Sequence, residues 1–308
     1  MSRSIEEIAS VVGAKRVGTH DANIDWLLTD SRSLCFPEET LFFALKTKRN
    51  DGHKYIEELY AKGVRNFVVT ELPDTIKHCQ GSNFLVVNDT LKALQRLAAK
   101  HREQFDIPVI GITGSNGKTV VKEWIYQLVT PDKVVTRSPR SYNSQIGVPL
   151  SVWLMNEHTE LGVFEAGISE MGEMEALQPI IRPTIGIITN IGGAHQENFA
   201  SLQEKCMEKL QLFKDCDVLI YNGDNELISS CVSKSLFTAR EIAWSTKDAE
   251  RPLFIEQIEK DDTGTTIKYQ YLGFLKEYRI PFIDDASIEN SLNCLAAALY
   301  LMISPEKI

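Results

Sequence analysis

No apolar run in this 308-residue sequence approaches the roughly 18 residues that a membrane helix needs, so no membrane-spanning segment is expected. No basic stretch followed by an apolar core opens the chain, so no secretory leader is expected either. Positive charge is scarce: 33 Lys and Arg stand against 42 Asp and Glu, a net charge of −9. A chain of that balance is not built to coat nucleic acid or an anionic bilayer. Any phosphorylated substrate would need local positive charge against this background. Cysteine pairing motifs are also missing. Cys35, Cys79, Cys206, Cys216, Cys231 and Cys294 form no C-x-x-C and no zinc spacing, which argues for reduced thiols and a cytoplasmic protein. Internal repeats and low-complexity segments are absent.

What is present is an ordinary globular composition, 43% hydrophobic and 24% charged, in a chain long enough for two domains. Ser4-Ile5-Glu6-Glu7 reads as a capping box that opens a helix, with Gly13 as its stop. Leu41 to Leu45, Asn66 to Thr70 and Phe84 to Val87 read as strands, and His53 to Lys62 as a helix. Thr90 to Arg102 reads as an amphipathic helix with Leu91, Leu94, Leu97 and Ala98 on one face. These elements predict a small α/β domain over residues 1–106, ending in the polar run Arg102-Glu103-Gln104-Phe105-Asp106 as a linker. The pattern restarts at 107. Apolar strands at 107–112, 134–136, 161–164, 184–189 and 218–221 alternate with helices at Val120 to Val129 and Ser201 to Phe213. That alternation predicts a mostly parallel central sheet covered on both faces. Leu253 to Ile258 and Thr265 to Tyr271 read as a small antiparallel hairpin region, and Ser287 to Met302 as a closing helix. The expected class is α/β throughout, with the second domain over residues 107–308.

The most specific stretch is Gly111-Ile112-Thr113-Gly114-Ser115-Asn116-Gly117-Lys118-Thr119, lying between an apolar strand and a helix. Glycines let a backbone approach phosphates, and N–H groups at a helix start point at the anion. Lys118 is placed to reach terminal phosphates and Thr119 to hold magnesium. The generic G-x-x-x-x-G-K-[ST] pattern wants glycine where Ile112 stands, so a simple strand-to-helix turn is the competing interpretation. In open parallel sheets ligands bind at the carboxyl ends of strands. Three such ends carry suitable residues: Lys118 and Thr119, then Glu165, then Asn190 with His195 close behind. Glu165 is an acid of the kind that holds magnesium beside phosphates, whereas His195 by itself reads as a loop histidine.

The combination resembles the Mur ligases. Thr113 to Thr119 is similar to their T-G-[ST]-x-G-K-[ST] loop, and Asn143 to Pro149 to their N-x-x-x-G-x-P segment. Phe164-Glu165-Ala166-Gly167 resembles an E-x-G strand end, and Ile188 to His195 an I-T-N…H segment. Asn290 to Ala298 resembles the helix that closes the ATPase domain. At the N-terminal end, Thr29-Asp30-Ser31-Arg32, Leu41 to Lys46 and Asp51-Gly52-His53 resemble the uridine-nucleotide domain of the MurF and MurE types. The segment at Asn143 and the run His195 to Phe199 look most like the MurF type.

The resemblance implies a P-loop ATPase domain behind a uridine-nucleotide domain, with ATP and magnesium (Mg2+) as cofactors. It implies UDP-N-acetylmuramoyl-tripeptide and D-alanyl-D-alanine as substrates, a monomer, and an acyl-phosphate mechanism in peptidoglycan precursor synthesis. Gly114, Ser115, Asn116, Gly117, Lys118 and Thr119 would hold the phosphates, and Asn290 and Asn293 the adenine. Thr119, Glu165, His195 and Lys209 would serve metal. Asn143 would face the reacting centre, and Ser31, Arg32 and Lys46 the uridine diphosphate. Lys209 is implied as a carbamylated lysine, fourteen positions after His195, with Lys205 one turn away as the competing candidate. Glu289 stands where the family has histidine. The family also has a C-terminal ligase domain that is absent here, so the chain is expected to be a poorly active fragment. In some bacteria the resembling ligase is fused to an alanine racemase. The alternatives are a MurE-type ligase adding a diamino acid, a folylpolyglutamate synthase, a P-loop kinase, or a nucleotide-binding module without ligase chemistry.

Overall fold

A computed structural model describes residues 2–47, 50–193, 198–235, 237–304 and 306–308. The chain divides into two compact units, Met1–Phe105 and Asp106–Ile308. The expected α/β class holds in both.

In the first unit the order is β1 (Arg3–Ser4), α1 (Ile5–Val12), β2 (Lys15–Val17), β3 (Asn23–Ile24), β4 (Trp26–Leu28), β5 (Thr40–Phe43), α2 (Ile56–Ala61), β6 (Asn66–Val69), β7 (Asn83–Val86) and α3 (Thr90–Arg102). Ser4 Oγ accepts from Glu7 N at 3.2 Å and so caps α1. Strands β4 to β7 pair in parallel in the order β7-β6-β5-β4, and β2 adds antiparallel to β7. All of β5 and β6 is buried, as a sheet covered on both faces requires. Phe67 stacks on Phe84 at 5.3 Å and meets Phe42 edge-on at 6.4 Å. The run expected as a linker is not an exposed tether. Arg102 and Phe105 are buried, and Arg102 Nη1 donates to Phe105 O at 2.6 Å.

The second unit runs β8 (Val109–Thr113), α4 (Lys118–Val129), β9 (Val135–Arg137), α5 (Gly147–Val152), β10 (Leu161–Glu165), α6 (Glu173–Ile181), β11 (Ile185–Ile188), α7 (Leu202–Leu210), β12 (Val218–Asn222), α8 (Glu226–Lys234), β13 (Arg240–Ser245), β14 (Leu253–Asp261), β15 (Gly264–Tyr271), β16 (Phe274–Ile280) and α9 (Asp285–Tyr300). Its sheet has the order β16-β15-β14-β13-β12-β11-β8-β10-β9. The strands from β14 to β9 in that order are parallel, and β15 and β16 extend the edge as an antiparallel hairpin pair. Strand β8 has later strands on both sides, so the connections leave it in opposite directions. That is a topological switch point, and it opens a crevice at the carboxyl end of β8. Register aligns the strand ends there: Glu165 lies beside Ile112, and Ile188 beside Thr113.

On one face, Ile110 and Ile112 join Val121 and Ile125 of α4 and Leu292 and Leu295 of α9 in the core. The other face has a glycine floor. Gly111 of β8 and Gly186 of β11 are register partners. A Cβ on Gly111 would lie 2.9 Å from the Pro183 side chain, and one on Gly186 would lie 2.5 Å from the Phe213 ring. A short 3-10 turn, Gln211–Phe213, follows α7 and packs into that floor. The absent side chains thus let the end of α7 lie close to the sheet. Gly186→Ala is expected to destabilise the unit by about 1–3 kcal/mol, because Phe213 has to leave its seat. Urea denaturation would read this, and an unchanged midpoint would show that Phe213 does not hold the position.

Candidate active site

The loop after β8 is built from two glycines that no other residue could replace without strain. Gly114 has φ +143° and Gly117 φ +82°. A Cβ on Gly114 would fall 1.9 Å from Thr189 Oγ1, and one on Gly117 would fall 2.3 Å from Asn290 Oδ1. The end of β11 clamps the loop. Ser115 N donates to Asn190 O at 2.8 Å, and Asn116 N to Asn190 Oδ1 at 3.0 Å. Thr189 Oγ1 donates to Asn116 O at 2.5 Å, and Gly192 N to Ser115 Oγ at 2.8 Å. The amides of Ser115 and Asn116 are therefore spent on the scaffold in this structure. The donors that helix geometry leaves without intrahelical partners are those of the first turn of α4, which starts at Lys118 rather than Val120.

Three lysines converge here. Lys118 Nζ folds back to donate to Gly114 O at 2.8 Å. Lys209 Nζ reaches the same carbonyl at 3.3 Å, and Lys205 Nζ donates to Gly192 O at 2.6 Å. Burial lowers the pKa of Lys209 to about 7, helped by the charges of Lys118 and Lys205. Burial also lowers that of Lys118, against an opposing pull from Glu165. Lys209 is buried at the end of α7, seated by the glycine floor.

Glu165, the last residue of β10, is completely buried. Its Oε2 accepts from Thr119 Oγ1 at 2.9 Å. Its Oε1 lies 2.9 Å from Lys122 Nζ, an ion pair that is off the line of a hydrogen bond. Lys122 is also fully buried, and it donates to Ser138 O at 2.8 Å and to Arg140 O. Ser141 Oγ lies 3.1 Å from Thr119 Oγ1. Asn143 sits where β10 ends, its carbonyl accepting from Gly167 N at 2.8 Å. The sequence reading missed Lys122 and Thr189. The signal for Lys122 was a lysine on the buried stripe of α4, at i, i+3 and i+7 with Ile125 and Val129.

Asn290 is buried against Gly117. Asn293 is completely buried: its Oδ1 accepts from Trp244 Nε1 at 2.9 Å, and its Nδ2 has no partner among the described residues. His195 lies outside the described residues. Ser31, Arg32 and Lys46 belong to the first unit. Ser31 is buried, while Arg32 is exposed and grips Asp30 twice, Nε to Oδ1 at 2.9 Å and Nη2 to Oδ2 at 2.6 Å. That grip holds the Asp30 carboxyl down at about 2. Lys46 Nζ lies 3.5 Å from Asp51 Oδ2, and Asp51 also takes His53 Nδ1 at 2.6 Å. Among the described residues no group of three or more His, Cys, Asp or Glu converges as a metal cluster, and no helix is long and apolar enough to cross a membrane. The oxygen donors that do meet are Thr119 and Glu165.

A family model of the Mur ligase middle domain matches residues 112–298. The chain belongs to the Mur ligase family. Among relatives, the UDP-N-acetylmuramoyl-tripeptide--D-alanyl-D-alanine ligase of Bacillus subtilis (strain 168) is 31% identical, aligning over 99% of this chain and 65% of that protein. The ligase of the same name from Treponema pallidum (strain Nichols) is 36% identical over 69% of this chain and 48% of that protein. This Mur ligase chain thus spans less than two thirds of the length of these relatives. In solved structures, MurF from Acinetobacter baumannii superposes with a TM-score of 0.86 at 24% identity, covering all of this chain and 67% of that one. MurF from Thermotoga maritima in complex with ADP gives 0.78 at 21% identity, covering 91% and 64%. At these identities the likeness establishes the fold.

The lowered pKa of Lys209 has a thermodynamic sign. Between about 7 and its unfolded value, the folded amine binds fewer protons than the unfolded one. Stability of the Mur ligase chain therefore rises with pH from about 7, by at most about 1.4 kcal/mol per unit from this group. Lys118 acts in the same direction. Burial raises the thiols of Cys206, Cys216 and Cys294. They oppose the trend only once unfolded cysteines ionise, near about pH 8.5. The urea midpoint is expected to rise from pH 7 to pH 8, and Lys209→Met to flatten that rise. A slope untouched by the substitution would place the proton elsewhere.

Proposed function

We propose that this chain is the nucleotide-handling part of a MurF-type ligase, which uses ATP to join D-alanyl-D-alanine to UDP-N-acetylmuramoyl-tripeptide. The observation that carries this reading is the convergence, at one sheet edge, of a phosphate loop, the Thr119–Glu165 oxygen pair and the buried amine of Lys209. The names of the relatives, and an alignment that runs over nearly the whole chain, support the MurF type.

The first-turn amides of α4 and Lys118 would bind the β- and γ-phosphates, Lys118 exchanging Gly114 O for phosphate oxygens. Thr119 and Glu165 suit magnesium, since they set two hard oxygens side by side and the ion commonly takes one or two carboxylates with phosphate oxygens and water. Bound magnesium supplies charge neutralisation at the transferring phosphoryl group. Lys209, unprotonated just above neutral pH, is nucleophilic toward carbon dioxide. Addition gives a carbamate and releases one proton, turning a cation into an oxygen donor. His195 is assigned to a second metal or its water shell, Asn143 to the reacting carboxylate, and Asn290 and Asn293 to the adenine. Ser31, Arg32 and Lys46 are assigned to the uridine diphosphate, with Arg32 exchanging Asp30 for phosphate.

In the reaction, a carboxylate oxygen of the tripeptide attacks the γ-phosphorus and ADP leaves, forming an acyl phosphate. The amine of D-alanyl-D-alanine then attacks the carbonyl carbon, phosphate leaves and the nitrogen loses a proton. The protein's contribution is positioning and charge neutralisation. Calorimetry with a non-hydrolysable ATP analogue and magnesium should show binding that Lys118→Ala weakens by at least about tenfold, the loss of a charge-assisted contact. In the full-length protein, ADP release should require both D-alanyl-D-alanine and the tripeptide substrate. Preference for a free diamino acid would make it a MurE-type enzyme, and nucleotide binding without either stimulation would make it a nucleotide module.

A further inference from the structure

The nine-stranded sheet ends at β16, which pairs with β15 and, among the described residues, with no other strand. The start of this edge strand is apolar and open to solvent. Leu272, Phe274 and Leu275 are 69%, 68% and 63% exposed. The two-residue turn between Tyr271 and Phe274 has positive φ at both positions, +50° at Leu272 and +81° at Gly273. Asparagine, aspartate or glycine ordinarily fills the first of these, so an exposed leucine there is costly in the free chain. The other end of the same strand borders an open apolar pocket of about 530 Å³, lined by Trp124, Leu128, Tyr278, Ile280, Phe282 and Leu295 among others. Trp124 stacks on Phe282 at 5.2 Å within that lining. One strand thus carries an apolar knob at one end and an apolar hollow at the other.

We propose that β16 is a dimerisation edge, pairing antiparallel with β16 of a second copy about a two-fold axis at Tyr278. The proposal does not rest on the ligase reading. Because Tyr271 and Phe274 close a two-residue hairpin, Phe274, Lys276, Tyr278 and Ile280 spend their backbone groups on β15. The N–H and C=O groups of Leu275, Glu277 and Arg279 therefore point to the open edge. An axis at Lys276, Glu277 or Arg279 would set like charges directly opposite each other. An axis at Tyr278 instead sets Glu277 opposite the partner's Arg279, twice over. Arg279 is already held on that exposed face by Asp261, Nη2 to Oδ1 at 2.7 Å. The same register sets Phe274 beside the partner's Phe282. Strand alternation puts Phe274 on the face where Tyr278 Oη lies 2.9 Å from Ser291 Oγ of α9, the face of the pocket. The knob of each copy is thereby seated at the hollow of the other, an isologous contact that closes on itself. The monomer implied by the family resemblance is then the dissociated form.

Sedimentation equilibrium of the 308-residue chain tests this. The wild type should show a reversible monomer–dimer equilibrium. Glu277→Arg and Arg279→Glu should each weaken it by at least about tenfold, because each sets two like-charge pairs across the axis. The variant carrying both exchanges restores opposite charges and should regain most of that loss. Phe274→Asp should also dissociate the dimer, with a circular dichroism spectrum unchanged from the wild type, which separates lost association from lost folding. A wild type that stays monomeric up to about 100 µM, well into the range of weak specific association, would overturn the proposal. So would a dimer indifferent to Glu277→Arg and Phe274→Asp, or a double exchange that restores nothing.

Discussion

The parallel pairing of β10, β8 and β11 is the constraint on which the rest of the second unit depends. Because β8 lies between the later strands β10 and β11, all parallel to it, the segments after β8, β10 and β11 emerge together at one edge. The loop after β8, Glu165 and Thr189 are brought together by register alone. The facing pair Gly111 and Gly186 then lowers one surface of the sheet enough for the turn after α7 to seat there. Lys209 reaches Gly114 O as a result. Backbone geometry thus places the side chains before any of them interacts.

The electrostatics follow from that placement. An acidic chain, at −9 overall, concentrates Lys118, Lys205 and Lys209 around two carbonyls. Their mutual repulsion and burial favour a site that takes up negative charge. Lys122 and Glu165 solve a different problem. Both are fully buried, so either charge alone would be costly, and each is the other's ion-pair partner. Such a pair contributes little net stability, but it fixes the carboxylate in one orientation, with its other oxygen toward Thr119. It also ties the loop at Ser138 and Arg140 to the same point.

Much of the architecture was legible. The capping box at Ser4, the apolar strands and the hairpin at 261–264 follow from local patterns, and all appear in the structure. Helix α6, with Pro179 inside it, and the short α5 were missed because their periodicity is brief or broken. In the site, the loop and the strand-end acid could be read from spacing. Lys122 shares the apolar stripe of α4 with Ile125 and Val129, yet a lysine there can also extend to solvent, so only packing decided its burial; the linker run likewise hid a buried arginine and phenylalanine.

By itself, then, the sequence determined the α/β class, the position of the glycine-rich loop after β8 and the residues at the neighbouring strand ends. Glycine placement and hydrophobic periodicity are local, and they encode these directly. Only the tertiary structure decided which polar groups meet. Thr119 and Glu165 are 46 residues apart in the chain, and Asn222 and Glu289 are 67 apart. Their contacts depend on strand order, register and the depth at which α7 and α9 lie on the sheet. Those are set by close packing across the whole unit and leave no periodic trace in the segments they join.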